Sequence, residues 1–137
     1  MDLWKEQLAA SVSRPEQLAA QFNLDHASLR GVVERYPMLI TPHYLGLIEE
    51  QGDPIWRQCV PDPLELAPDG LFDDPLNEAA FTPVPAVVHR YPDRALLMVA
   101  GSCAGFCRFC TRKSRVGHPQ LSFSEADIEE GIDYIAG

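Results

Sequence analysis

The 137-residue sequence is poor in positive charge: eleven lysines and arginines stand against twenty aspartates and glutamates, giving a net charge of −9. That balance argues against general nucleic-acid binding, which needs a basic footprint. Lysine is the scarcest cation, represented by Lys5 and Lys113 alone. No stretch approaches the ~20 apolar residues of a membrane span. The opening "MDLWKEQLAA" lacks the basic end and apolar run of a secretory signal. The expectation is a cytoplasmic chain without membrane attachment. Cysteine is sparse as well, four residues in all. In a reducing compartment such thiols serve metal or redox chemistry more often than disulfides. There is no internal repeat and no low-complexity tract.

A hydrophobic content of 46% suffices for a packed core, and a charged content of 23% is ordinary for a soluble domain. Ser13-Arg14-Pro15-Glu16 has capping-box spacing and should open a helix over "EQLAAQF". Asp25 can cap a second, in which Leu29, Val32, Val33 and Tyr36 recur at helical spacing. Thr41-Pro42 starts a third helix, expected to run to about Gly52, and Asp53-Pro54 repeats the device for a short turn. Residues 59–85 are rich in proline and aspartate and read as an irregular connector that must wrap some surface, because long structureless loops are uncommon. The run "ALLMVAG", Ala95 to Gly101, reads as a strand buried on both faces. Ser122 or Ser124 then caps a helix carrying Ile128, Ile132 and Ile135 on one face. The order is strand, loop, helix, so the chain is expected to be α/β with its functional loop at the strand's C-terminal end.

That loop is "GSCAGFCRFCTRKSRVG". Cys103, Cys107 and Cys110 form C-x3-C-x2-C, and Arg108, Arg112, Lys113 and Arg115 concentrate positive charge beside them. An acidic chain with one basic patch suggests a small anionic ligand, a carboxylate or a phosphate. Three chemistries compete for the thiols. A disulfide leaves one cysteine over and needs an oxidising compartment. Zinc needs a fourth ligand from Cys59, His89 or His118, and only one C-x2-C pair is present. An iron–sulfur cluster on three cysteines leaves one iron open to a small molecule. Cys59 itself reads as a small buried hydrophobe.

C-x3-C-x2-C with aromatic Phe109 before the third cysteine resembles the signature of radical S-adenosylmethionine enzymes. Together with "HRYPDRALLMV", "ITPHYLGLI", "DPIWRQCVP" and "DPLNE", it is similar to the lysine 2,3-aminomutase family, over roughly residues 36–137. The resemblance implies a [4Fe-4S] cluster on Cys103, Cys107 and Cys110, with S-adenosylmethionine bound at the open iron and pyridoxal 5′-phosphate as second cofactor. The implied reaction moves an amino group from the α to the β carbon of an amino acid, lysine first among the substrates. Glutamate, or a lysine used to modify a translation factor, are alternatives within the family. Phe109 would lie against the adenine ring, Arg112 would pair with the substrate carboxylate, and Arg90, Tyr91 and Arg94 would sit near the pyridoxal phosphate. A bland reading stands beside each: core packing for Phe109, a solvated charge for Arg112, and ion pairs with Asp93 or other carboxylates for Arg90 and Arg94.

The implied organisation is an N-terminal helical region over 1–58, an irregular connector with the HRYPDR segment over 59–94, and the start of a radical S-adenosylmethionine (β/α) barrel over 95–137. A whole barrel takes ~250 residues. The family's glycine-rich strand end, its pyridoxal-bearing lysine and the acidic residues that select the distal substrate amine have no counterpart here. The expectation is therefore a truncated portion, inactive alone, of an enzyme whose complete form could be a homo-oligomer. From a different class, the same segment could be a stand-alone iron–sulfur or zinc-binding interaction module.

Overall fold

A computed structural model describes residues 2–68, 70 and 72–137. Helix α1 spans Leu3–Ala9, α2 Pro15–Phe22, α3 His26–Arg35, α4 Pro42–Leu45 and α5 Pro54–Cys59. Strands β1, Val87–Tyr91, and β2, Arg94–Leu97, pair next, and α6, Glu125–Ala136, closes the order.

Capping fixes most of the helix starts. Asp25 accepts from Ala27 N at 3.0 Å, and Thr41 Oγ1 from Tyr44 N at 3.4 Å. Ser124 and Asp127 cap each other's backbone at the start of α6. Helix α2 departs from the sequence expectation. Arg14, not Ser13, is its N-cap residue, and Gln17 Oε1 accepts from both Ser13 N and Arg14 N. Helix α4 stops at Leu45 rather than near Gly52, and Asp53 is the reason. One carboxylate oxygen of Asp53 takes the Glu49 and Glu50 amides, at 2.8 and 3.3 Å, which a longer helix would need for its own ladder. Its other oxygen caps α5 through Trp56 N at 2.6 Å.

The helical layer encloses the main core: Val12, Leu18, Leu29, Met38, Ile40, Cys59 and Val60, with Phe22 and Trp56 edge-to-face at 5.1 Å. A bridge between Val12 and Ile40, with both amide–carbonyl bonds at 2.9 Å, ties the segments before α2 and α4 together.

The strand reading changes in detail. β1 and β2 form an antiparallel hairpin, with Val87 opposite Leu97, Val88 opposite Leu96, and an irregularity before Tyr91 opposite Arg94. Two-sided burial belongs to β1, where Val87 and Val88 are both buried, and β2 is mostly exposed. Met98 N still donates to Ala86 O at 2.8 Å, and residues 99–101 leave the ladder. Helix α6 crosses this hairpin at Gly131, whose missing side chain makes room for Leu97 and Val87. Ile132 and Ile135, which share a face with Ile128 at helical spacing, are exposed.

The connector wraps surfaces of this chain. Asp73 accepts from Arg35 Nη2 at 3.0 Å and from the Tyr36 hydroxyl at 2.8 Å, and its carbonyl accepts from Ser114. Arg90 Nη1 donates to Leu76 O at 2.8 Å.

Leu18 is fully buried and Leu64 is exposed. Leu18→Ala should lower unfolding free energy by about 2–5 kcal/mol, and Leu64→Ala by less than about 0.5 kcal/mol. Urea unfolding followed by circular dichroism measures both, and equal losses would mean that the helical core does not carry the stability.

Candidate functional site

The cysteine loop is pinned at both backbone and side-chain level to the helical layer. Phe106 N donates to Leu39 O at 3.1 Å, and Arg108 N to Gln58 O at 2.7 Å. Gly117 N returns to Gly101 O at 3.3 Å and closes the loop. Gly117 has φ +82, and a Cβ there would collide with the Phe106 ring, so the closure requires glycine.

Within the loop, Cys110 N donates to Cys107 O at 3.2 Å, which folds the second and third cysteines into one turn. Arg112 N points at Cys110 Sγ, 3.4 Å away. Cys103 is exposed, and Cys107 and Cys110 are half-buried. Burial pushes the Cys107 thiol up, and the neighbouring Cys110 and then Cys103 add to it, so the three sulfurs share one electrostatic neighbourhood. All four cysteines are free, which sets the disulfide reading aside. Among the described residues no group of three or more His, Cys, Asp or Glu side chains is gathered for a metal ion, and neither His89 nor His118 supplies a fourth zinc ligand. His89 Nδ1 instead faces the Tyr134 hydroxyl at 2.7 Å. Cys59 is buried, donates to Ile55 O at 3.2 Å, and has its pKa raised to about 11, first by burial. The three sulfurs on this loop are not drawn around one point in this structure, but the donor chemistry, three thiols with a backbone N–H aimed at one of them, is of the kind that holds an iron–sulfur cluster.

Phe109 is 68% exposed. Its ring is not core; it stands at the rim of a cavity of about 490 Å³ shared with Tyr44, Phe106, Cys59 and Cys107. Arg90, Tyr91, Arg94 and Arg112 line a second cavity of about 310 Å³, together with Glu78 and Phe81. The structure thus gathers the four residues expected near pyridoxal phosphate and substrate, although they come from the hairpin and from the cysteine loop. A larger apolar hollow, about 800 Å³, lies between α1 and α4 and meets the loop at Ala104 alone.

The charge pattern differs from the open basic patch expected. Arg112 donates Nε and Nη2 to Glu78 at 3.0 and 2.6 Å, which raises its pKa further. Arg108 is buried and donates Nε and Nη2 to Glu65 at 3.0 and 2.6 Å, and Lys113 Nζ reaches the same carboxylate at 2.7 Å. Burial alone would raise Glu65, but Arg108 and Lys113 outweigh it and hold the carboxyl below its ordinary range. Among the described residues Arg94 has only a long contact to Asp93, 3.7 Å, and rides over the Tyr91 ring at 4.7 Å. Lys5 pairs with Asp2 on the exposed face of α1. Glu65 and Glu78 are the residues that sequence reasoning missed. The Asp62-x-x-Glu65 capping spacing and the "DPLNE" segment contained them, but neither pattern points to an arginine more than thirty residues away.

The chain is 38% identical to the L-lysine 2,3-aminomutase of Clostridium subterminale over 138 residues, 96% of this chain and 33% of that protein. It is 33% identical to the L-lysine 2,3-aminomutase of Bacillus subtilis, covering 96% of this chain and 29% of that protein. It is 35% identical to the glutamate 2,3-aminomutase of Clostridioides difficile over 109 residues, 78% and 26% of the two chains. No family model matches the sequence. The chain spans about a third of the length of the curated relatives it matches.

The thiols should differ sharply in reactivity, because the thiolate is the nucleophile. At pH 8 a thiol of pKa about 11 is ionised in only about one molecule in a thousand, so Cys59 should alkylate last and exposed Cys103 first. Peptide mapping after timed iodoacetamide treatment reads the order. Early labelling of Cys59 would show that it lies open beside the loop.

Proposed function

We propose, because the chain belongs to the lysine 2,3-aminomutase family, that it carries the cluster-binding and substrate-facing portion of an isomerase that moves an amino group from the α to the β carbon of an amino acid. The observation that carries this reading is the placement of three free thiols on one pinned loop, with Arg112 of the same loop facing a cavity shared with Arg90, Tyr91 and Arg94. The succession of hairpin, cysteine loop and α6 is compatible with the start of a (β/α) barrel. When bound, the [4Fe-4S] cluster with S-adenosylmethionine supplies a 5′-deoxyadenosyl radical, and pyridoxal phosphate carries the migrating amino group.

Cys103, Cys107 and Cys110 would hold the cluster as thiolates, and the Arg112 amide would donate to the third sulfur. Phe109 offers an exposed ring beside them for stacking on adenine. Arg112 spends Nε and Nη2 on Glu78 and keeps Nη1 for a substrate carboxylate. Arg94 is the least committed cation of the second cavity and suits a phosphate group, with Tyr91 beneath it. Arg90 is fixed by Leu76 O and lies over Phe81 at 5.0 Å, so it shapes the wall. Lys113 is occupied by Glu65 and Lys5 lies on α1, so neither suits attachment of pyridoxal phosphate. The substrate class is an amino acid, lysine before glutamate. Among the described residues no helix is long and apolar enough to cross a membrane.

Anaerobic reconstitution with ferrous iron and sulfide tests the ligand assignment. Serine at Cys103, Cys107 or Cys110 should each abolish bound iron, and Cys59→Ser should leave iron per chain unchanged. Loss of iron in the Cys59 variant would replace the three-thiol site by a four-thiol one.

A further inference from the structure

Two of the cations beside the thiols end on a single carboxylate. Glu65 lies in the 3-10 turn Pro63–Leu66 with its side chain 11% exposed, and it accepts four hydrogen bonds. These come from Asp62 N at 2.8 Å, Arg108 Nε at 3.0 Å, Arg108 Nη2 at 2.6 Å and Lys113 Nζ at 2.7 Å. Arg108 sits between the second and third cysteines, and Lys113 follows the third, so one carboxylate holds both flanks of Cys110. Most of the remaining donors are also committed. Arg108 Nη1 and Nη2 reach Pro37 O and Tyr36 O at 3.0 and 3.3 Å, and Lys113 Nζ reaches Arg108 O at 3.2 Å and lies over the Tyr36 ring. Neither cation lines either cavity beside the loop, so substrate recognition does not explain them.

We propose that Glu65 is a positioning residue for the iron–sulfur cluster: it holds the Cys107–Cys110 turn in place ahead of metal loading and sets the balance of fixed charge beside the cluster. This rests on the three-cysteine reading above. Outer-shell groups that orient ligands govern metal retention, and fixed charge near a cluster sets its potential. Reduction adds negative charge to the cluster. Removing the carboxylate leaves two cations uncompensated and favours the reduced state; removing one cation while the carboxylate stays does the reverse.

The test uses the whole chain, reconstituted with iron and sulfide, as wild type, Glu65→Gln and Lys113→Met. Circular dichroism checks the fold, release of iron to a chelator reads retention, and a redox titration reads the midpoint potential. The expected result is cluster retention weaker by about tenfold or more in Glu65→Gln, with its potential shifted up and that of Lys113→Met shifted down. A purely structural ion pair moves retention and stability without this opposite pair of shifts. Unchanged retention and potential in both variants, or potentials that move in the same direction, overturn the proposal. If Glu65→Gln fails to fold, Lys113→Met decides, because Arg108 still satisfies Glu65 there: a lowered potential supports the proposal and an unchanged one overturns it. A wild-type chain that takes up no cluster overturns the three-cysteine reading and this proposal with it.

Discussion

The pair Arg108–Glu65, with side chains 6% and 11% exposed, joins the cysteine loop to a turn 43 residues earlier in the chain. Such a pair is a poor source of net stability, because desolvating both charges offsets most of their attraction. It is a strong source of specificity. Arg108 makes its four side-chain hydrogen bonds only when Glu65, Tyr36 O and Pro37 O are all in place, and removing one partner of a buried pair costs about 3–5 kcal/mol. The loop therefore has one docked arrangement, and the positions of Cys107 and Cys110 follow from it. Phe106 N and Arg108 N, bonded to Leu39 O and Gln58 O, fix the same stretch from the backbone side.

Glu78 does for the second cavity what Glu65 does for the loop. It is a buried carboxylate, and the Arg112 guanidinium meets its two oxygens through two donors. This pairing orients the guanidinium and leaves one edge free, an arrangement suited to a planar carboxylate partner. Two acidic side chains thus pair with three of the four cations that stand out in "CRFCTRKSR". Among the described residues Arg115 alone of that cluster has no ion-pair partner.

Local chemistry was legible in the sequence wherever it acts over a few residues. Asp25, Thr41, Asp53 and Ser124 cap as their side chains allow, and the cysteine spacing singles out the loop that Phe106 N and Arg108 N pin to the helical layer. What was not legible depends on competition among local partners and on partners distant in the chain. Asp53 ends α4 by taking amides from Glu49 and Glu50, which propensity does not register. Gln17 outcompetes the expected Ser13-Glu16 box because its oxygen reaches two amides at once. The apolar run "ALLMVAG" suggested a strand buried on both faces, yet that burial belongs to Val87 and Val88 of β1, with Val87 packed at Gly131 of α6. Nothing in the periodicity of either segment specifies that crossing.

The central claim is that the three thiols hold a cluster with one iron open to S-adenosylmethionine. Electron paramagnetic resonance of the reduced, reconstituted chain, recorded with and without S-adenosylmethionine, tests it most directly. A ligand on the open iron changes that iron's electronic environment, so the account predicts a changed spectrum with S-adenosylmethionine and an unchanged one with an equal concentration of adenosine. A cluster signal identical in the presence and absence of S-adenosylmethionine would contradict it.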